Sequence, residues 1–290
     1  LVAPENATLL EIERDSPMKS RRLDFRDKVA VLTGAGSGIG RALALELAAR
    51  GCHLAIADIR EETLTAVAAE LAQFPIRVST HVLDVASREQ VASLPARVLA
   101  AHPAVDLLFN NAGVAVGGHF LDTPEADYDW LFEINFHGVV RMTRAFLPGL
   151  LQRPDAHVVN TASLFSLIAP AGQTHYAASK FAVRAFSDAL RHELERSTVG
   201  VSAVCPGGVA TAIARSARFS PTLPAGAIEK QLERSRRLLR MPPERAAQII
   251  LRGVEKRSPR IIVGYDAWLG YLLERVLPTG YWSLMRNLTS

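Results

Sequence analysis

The stretch "KVAVLTGAGSGIGRALALELAARG", residues 28–51, decides how the chain folds. It opens as a short β-rich apolar run, Lys28 to Thr33, and from Arg41 to Arg50 its apolar residues recur at three and four, the period of a helix. Between strand and helix stand glycines at 34, 36, 38 and 40. Glycine at such a turn lets the backbone approach a pyrophosphate, whose charge the helix N-terminus stabilises. The spacing reads T-G-x-x-x-G-x-G; Ile39 breaks a G-x-G-x-x-G pattern, and the lysine of a P-loop is missing. A tight turn also needs glycine, so this stretch alone leaves a nucleotide site and a plain structural turn both open.

The same alternation continues along the chain. The runs "HLAIAD" (53–58), "IRVSTHVLD" (76–84), "VDLLFNN" (105–111), "AHVVNTAS" (156–163) and "VGVSAVC" (199–205) read as strands. Helical periodicity fills Glu61 to Gln73, Ser87 to Ala101, Glu125 to Leu151 and Gln173 to Ser197. Repeated β-α predicts a parallel sheet covered on both faces, with right-handed crossovers. A further helix, Pro243 to Lys256, leads to a last strand, Arg260 to Val263. The expected fold class is α/β: a single-domain, Rossmann-like, doubly wound parallel sheet of about seven strands with helices on both faces.

The catalytic domain is expected over residues 18–264, with 265–290 as an amphipathic tail. The segment 206–241 is long for a connection and carries scattered apolar residues and prolines, as a lid does. Residues 1–17 lack a regular period and precede "MKSRR", so they are set aside as a disordered extension ahead of a start at Met18.

With 290 residues, 49% of them hydrophobic, the chain has material for a full core. No apolar run approaches the roughly 20 residues of a membrane-spanning helix, and no charged-then-apolar leader opens the sequence, so cytoplasm is the expected location. Cys52 and Cys205 are too few for a disulfide framework and not spaced as metal ligands, which fits a reducing compartment and core filler. The net charge of +4 attracts anions mildly, yet no basic helix or aromatic-interleaved stripe accompanies it. Small anionic ligands are expected, not nucleic acid. Arg234, Arg236, Arg237 and Arg240 read as a solvated helix face.

The second strand sharpens the nucleotide reading. "HLAIAD" ends at Asp58, 18 positions after Gly40, about where an acidic side chain accepts hydrogen bonds from an adenosine ribose. A carboxylate there repels a 2′-phosphate, which favours NAD(H) over NADP(H). Asp58 as a cap for the next helix stays open, and Arg41 and Arg60 are available to a phosphate, so NADP(H) stays possible.

Reactive chemistry enters at "YAASK", residues 176–180. On a helix Tyr176 and Lys180 share one face, so a phenol and an ammonium can lie side by side. Lowering a tyrosine by about three units takes roughly 4 kcal/mol, and one cation about 4 Å away at an effective dielectric near 20 supplies about that much. Thirteen residues upstream, Ser163 ends the fifth strand in "VVNTASLF" and can donate a hydrogen bond to a carbonyl oxygen that becomes an alkoxide.

Together these residues resemble the short-chain dehydrogenase/reductase family, in its single-domain branch, along nearly all of Lys28 to Val263. The resemblance rests on "TGAGSGIG" (33–40), "LDV" with Asp84, "NNAG" (110–113), Asn135 in "EINFHGVV", Ser163 with "YAASK", and "PGGVAT" (206–211). It implies hydride transfer at the C-terminal edge of the sheet. Tyr176 would be general acid in reduction and base in oxidation. Lys180 would hold the nicotinamide ribose and depress the tyrosine, Ser163 would hold the substrate oxygen, and Asn135 would position a water linking Lys180 to solvent. The implied cofactor site comprises Gly34, Ser37, Gly38, Ile39 and Gly40 at the pyrophosphate and ribose, and Asp84 and Val85 at the adenine. Asn111, Ala112 and Gly113 follow along the ribose; Pro206, Gly207, Val209 and Thr211 lie at the nicotinamide. For Asn111 and Asn135 a purely structural part, satisfying backbone groups, is equally compatible.

Other chemistries lack their residues: there is no G-x-S-x-G elbow, and "HELER" at 192 has no second histidine for zinc. His175 points about 100° around the helix from Tyr176 and reads as a pocket-rim or surface residue. "LFSLIAPAGQTH" (164–175), "VAVGGHF" (114–120) and lid residues Ile213, Phe219 and Leu223 would wall the site, implying an alcohol or ketone with a hydrophobic body. The tail, with Trp268, Tyr271, Leu272, Tyr281 and Trp282 beside Arg275 and Arg286, either packs on its own or a sister subunit or lies on a membrane surface. The small face Ala178, Ala182, Ala185, Ala189 suits subunit packing, so a homodimer or homotetramer is expected. Two rival readings are an NADPH-dependent 3-oxoacyl-thioester reductase and a nicotinamide-nucleotide sensor without turnover.

Overall fold

The structure is a computed structural model and describes residues 22–219, 226, 229, 233 and 238–289. The expected extension 1–17 with the start at Met18, the arginines at 234, 236 and 237, and Leu223 of the lid lie outside the described residues.

Seven parallel strands form the main sheet: β1 (Val29–Thr33), β2 (His53–Asp58), β3 (Val78–Val82), β4 (Leu107–Asn110), β6 (Ala156–Thr161), β7 (Val199–Pro206) and β9 (Arg260–Val263). Their order is β3-β2-β1-β4-β6-β7-β9, so the chain reverses direction across the sheet between β1 and β4. That reversal leaves a crevice beyond the carboxyl ends of the strands, where doubly wound sheets bind ligands. The alternation read from sequence is thus a Rossmann-like parallel sheet.

Strand periodicity divides the core. In β1, Ala30 and Leu32 face one layer with Leu54, Ile56 and Phe109, while Val31 faces the other with Ala55 and Leu108. The first layer is closed by α1 (Gly38–Ala49), α2 (Glu61–Leu71) and α7 (Pro243–Glu255); the second by α3 (Arg88–Leu99), α5 (Gly138–Leu150) and the end of α6 (Thr174–Glu193). Leu43 and Leu47 of α1 and Ile250, Leu251 and Val254 of α7 are all buried in the first layer. At about 2 kcal/mol per buried aliphatic side chain, this packing contributes on the order of 10 kcal/mol gross and holds the first turn of α1 at the sheet edge.

Two features depart from the periodic reading. The stretch Glu125 to Leu151 is α4 (Glu125–Phe132), a π-helical turn Glu133–His137, and α5, not one continuous helix. The wide turn sinks Asn135 completely, with 0% of its surface exposed. A second ladder, β5 (Val116–Gly117) against β8 (Arg218–Phe219), ties the segment after β7 to the loop after β4. Two-residue strands carry no period, so nothing in the sequence signals them.

The tail forms α8 (Tyr265–Val276) and α9 (Tyr281–Thr289) and folds back on its own chain. Gly270 of α8 meets Leu164 and Ile168, and the Ala169 N–H donates to the Tyr281 hydroxyl at 3.0 Å. Tyr265, Trp268, Leu269, Leu272 and Val276 remain exposed on its outer face. Among the described residues, no helix is long and apolar enough to cross a membrane.

Candidate active site

The glycine loop is shaped by what crosses it. Gly34 and Gly38 have φ of +65° and +53°, the left-handed region that favours glycine. A Cβ on Gly34 would lie 2.8 Å from the Ala112 Cα, so the tip of β4 passes directly over the loop. The Asn111 amide donates to the carbonyls of Thr33 (3.2 Å) and Gly34 (3.3 Å), while the Thr33 hydroxyl accepts from the N–H groups of Asn111 and Ala112, both at 3.1 Å. Asn111 therefore has the structural part that its residue type allows. Ser37 precedes α1 without capping it, so its side chain leaves the N–H groups of the helix N-terminus at Gly38, Ile39 and Gly40 uncapped.

Asp58 reaches across from β2. One carboxylate oxygen accepts from the Gly36 N–H at 2.9 Å and the other from the Arg60 N–H at 3.1 Å. Its negative charge thus lies in the glycine loop itself. Arg41, expected to be available to a phosphate, is instead paired with Glu70 and lies 4.0 Å from Glu244. Of these two arginines Arg60 remains on that side, 3.5 Å from the Ser37 hydroxyl and 3.9 Å from the Asp58 carboxylate. Asp84 holds its own turn, its carboxylate accepting from the Ala86 N–H at 2.9 Å, and buried Val85 packs against Gly138.

Ser163, Tyr176 and Lys180 converge beyond β6. The Ser163 hydroxyl accepts from the Phe165 N–H at 3.1 Å, so its own proton can go to the Tyr176 phenol or to a substrate oxygen. Burial raises the Tyr176 phenol above its ordinary value, and a hydrogen bond with Ser163 pulls it partly back. Lys180 donates to the Thr161 carbonyl at 3.0 Å, with Nζ 5.8 Å from the Tyr176 ring centre. Burial lowers its ammonium to about 8. In this state desolvation dominates the phenol, and the opposing pull is that of Ser163.

Asn135 sits behind them. Its amide oxygen accepts from the Val114 N–H at 2.8 Å, and its nitrogen donates to the Val114 carbonyl at 3.0 Å and the Ser179 hydroxyl at 3.2 Å. Ser179 in turn donates to the Tyr176 carbonyl at 2.8 Å. The side chain that was expected to position a water thus holds the Val114 peptide and Ser179, with one lone pair of its oxygen left over. A Cβ on Gly113 would lie 3.2 Å from the Asn135 oxygen and 3.3 Å from the Lys180 nitrogen, so this glycine keeps the approach to Lys180 open.

The walls are partly as expected. His175, read as a rim or surface residue, is buried, with ring centres 4.9 Å from Tyr128 and 5.6 Å from Phe120. Phe120 and Leu121 are exposed beside it. Arg218 of β8 stacks 3.7 Å from the Trp130 ring centre and bonds Asp127 at 2.7 Å, fastening β8 to α4.

Residues 28–220 match the family model described as short chain dehydrogenase. The chain belongs to the short-chain dehydrogenase/reductase family. SadH of Mycobacterium tuberculosis is 40% identical over 265 residues, which are 90% of this chain and 95% of its own. The 3-oxoacyl-(acyl-carrier-protein) reductase FabG of Thermotoga maritima is 31% identical over 245 residues, 83% of this chain and 97% of its own. A solved short chain dehydrogenase/reductase from Burkholderia phymatum in complex with NAD matches with a TM-score of 0.79 at 33% identity, covering 88% of this chain and 95% of that one. As a short-chain dehydrogenase/reductase, this protein is an oxidoreductase and uses a nicotinamide dinucleotide.

The residues present fit that group: a helix N-terminus free of side-chain caps, glycines where Cβ atoms would fill the approach, and a carboxylate at the tip of β2. The family motifs supply most of the residues of this candidate site. They do not extend to Asp266 of α8, whose carboxylate accepts from the Gly208 N–H at 2.6 Å.

Proposed function

We propose that this short-chain dehydrogenase transfers hydride between NAD(H) and a secondary alcohol or ketone with a hydrophobic body, with Tyr176 as general acid and base. The observation that carries this reading is buried Lys180 beside Tyr176, its Nζ 5.8 Å from the ring centre, with Ser163 pulling the same phenol down. Ser163 can turn its proton from the phenol to a substrate oxygen, and the raised phenol keeps its own proton at neutral pH, ready to deliver in reduction. In oxidation the same phenol takes the proton back, and the Lys180 charge, with Nζ 5.8 Å from the ring centre, favours the phenolate.

When bound, the dinucleotide supplies or accepts the hydride. Gly34, Ser37, Gly38, Ile39 and Gly40 would hold its pyrophosphate and ribose, Asp58 the adenosine ribose, and Asp84 and Val85 the adenine. Asn111, Ala112 and Gly113 would border the ribose leading to Lys180; Pro206, Gly207, Val209 and Thr211 would border the nicotinamide. The charge of Asp58 and the pairing of Arg41 with Glu70 favour NAD(H) over NADP(H). The likeness to FabG supports a second reading, a 3-oxoacyl-thioester reductase. That reading asks for a 2′-phosphate partner near Asp58.

A panel of secondary alcohols, ketones and 3-oxoacyl thioesters, followed at the nicotinamide absorbance with NADH and NADPH, tests both. Turnover of hydrophobic ketones with NADH is expected, lost by a factor of about 10² to 10⁴ in Tyr176→Phe. Full turnover in that variant would remove Tyr176 from the chemistry.

A further inference from the structure

The loop that follows β7 is held by a carboxylate from the tail. Asp266 accepts from the Gly208 N–H at 2.6 Å, and three glycines surround its carboxylate. A Cβ on Gly207 would fall on both carboxylate oxygens, a Cβ on Gly264 would lie 2.5 Å from one of them, and a Cβ on Gly208 would lie 3.3 Å from the other. Gly264 has a φ of +108°, which swings the chain from β9 into α8 so that Asp266 points back at the loop. The side chain makes no cap on its own helix, although it stands in the first turn. The glycines therefore make room for a contact between segments 58 residues apart.

That contact bears on everything downstream in the loop. With its N–H on Asp266, Gly208 offers its carbonyl to the N–H groups of Arg240 and Met241, both at 3.0 Å, so the peptide is pinned from two sides. Val209 then bridges to Met241, and Thr211 comes to the N-terminus of α1, its methyl 3.0 Å from where a Cβ on Gly38 would stand. The matched family region ends at residue 220, and Asp266 lies beyond it.

We infer that Asp266 is a positioning residue: by holding Gly207 and Gly208 in place it sets Val209 and Thr211 against the nicotinamide half of the dinucleotide. The inference rests on the cofactor reading above. It requires that removing the carboxylate weaken the hold on the nicotinamide half and spare the adenosine half, which is held by the glycine loop and Asp58 on the other side of the crevice.

Calorimetric titration of the full chain with NADH and with ADP-ribose, which lacks the nicotinamide, separates the halves. Asp266→Ala is expected to weaken NADH about tenfold, the scale of one hydrogen bond to a charged group, and to leave ADP-ribose within about twofold. Asp266→Asn keeps an oxygen acceptor and is expected to bind both molecules nearly as the unmodified chain does. Should Asp266→Ala not fold, Gly207→Ala, whose methyl displaces the carboxylate, must give the same selective loss. Equal weakening of NADH and ADP-ribose, or no weakening of either in a folded variant, overturns the inference and leaves the cofactor reading standing. An unmodified chain that binds neither molecule overturns both.

Discussion

Lys180 gives its hydrogen bond to the Thr161 carbonyl, 3.0 Å away, and stands 5.8 Å from the centre of the Tyr176 ring. The side chain is 3% exposed, and burial lowers its ammonium from 10.5 to about 8. Below about pH 8 the folded chain carries this poorly solvated charge in full; between pH 8 and 10.5 the folded state sheds a proton that the unfolded chain keeps, and the burden is lifted. Lys180→Met is therefore expected to raise stability at pH 7 by up to about 3 kcal/mol, with the gain shrinking at higher pH. Turnover should fall at least about a hundredfold. Denaturation midpoints at pH 7 and pH 9.5, measured beside activity, check this. A variant less stable at both values would mean that the bond to Thr161 outweighs the burial of the charge.

Much of this site is legible because its chemistry is local. The glycines at 34, 36, 38 and 40 lie in one turn, and Tyr176 and Lys180 share one helix face, so residue type and spacing alone bring them to notice. The strands of the main sheet announce themselves by apolar runs bounded by turns. The π-turn at Asn135 escapes notice because helical periodicity runs on both sides of it, and the β5–β8 ladder because two residues make no pattern. Asp266 is hidden for another reason: its partner, Gly208, is distant in sequence, and one acidic residue opening a helix ordinarily reads as a favourable charge at the dipole. Arg41 shows the reverse: the sequence leaves it available to a phosphate, and Glu70 already holds it.

The position of Asp58 predicts cofactor preference. Its carboxylate bonds the Gly36 N–H at 2.9 Å, so a 2′-phosphate would approach a fixed negative charge. NADH is expected to bind at least about tenfold more tightly than NADPH, because like charges at close range cost on the order of 1 kcal/mol or more even in a watery crevice. Asp58→Ala should erase most of that difference, leaving Arg60 to meet the phosphate. Fluorescence titration with both cofactors decides it; tighter NADPH binding by the unmodified chain would end the NAD(H) assignment.

His157 makes the fold acid-sensitive. Ser202 donates to the Ser258 carbonyl at 2.8 Å, so its oxygen accepts from His157 Nε2 at 2.8 Å, and the ring is the tautomer with a bare Nδ1. Fully buried, that nitrogen has no hydrogen-bond partner among the described residues, and burial lowers the imidazole to about 4. His81 is likewise lowered to about 4. As pH falls below about 6.5 the unfolded chain gains protons that the folded one refuses, so stability is full above 6.5 and declines toward pH 4, by up to about 3 kcal/mol for His157. Urea unfolding from pH 7.5 down to 4.5 should show this slope, and His157→Gln should flatten part of it. An unchanged slope in that variant would assign the acid sensitivity elsewhere.

The lid segment offers a test of whether substrate access is tied to its attachment. Arg218 stacks on Trp130 at 3.7 Å and bonds Asp127 at 2.7 Å, and next to it the Phe219 ring lies against Gly117, where a Cβ would come within 3.2 Å. These contacts fasten β8 to β5 beside the loop that carries Phe120. A stacked, partly exposed cation with a surface ion pair contributes about 1–2 kcal/mol, enough to fasten β8 and little enough to release it. Arg218→Ala is expected to raise the KM for a hydrophobic ketone by about three- to tenfold while kcat changes little, because the clasp favours the covered state without touching the reacting atoms. Amide exchange at Val116 and Gly117 should quicken in parallel, since their ladder to Arg218 and Phe219 loses its side-chain support. Arg218→Lys, which keeps the charge but loses the planar stacking, should fall between the two. Faster exchange with an unaltered KM would show that β8 fastens the fold at that point and does not govern entry to the site.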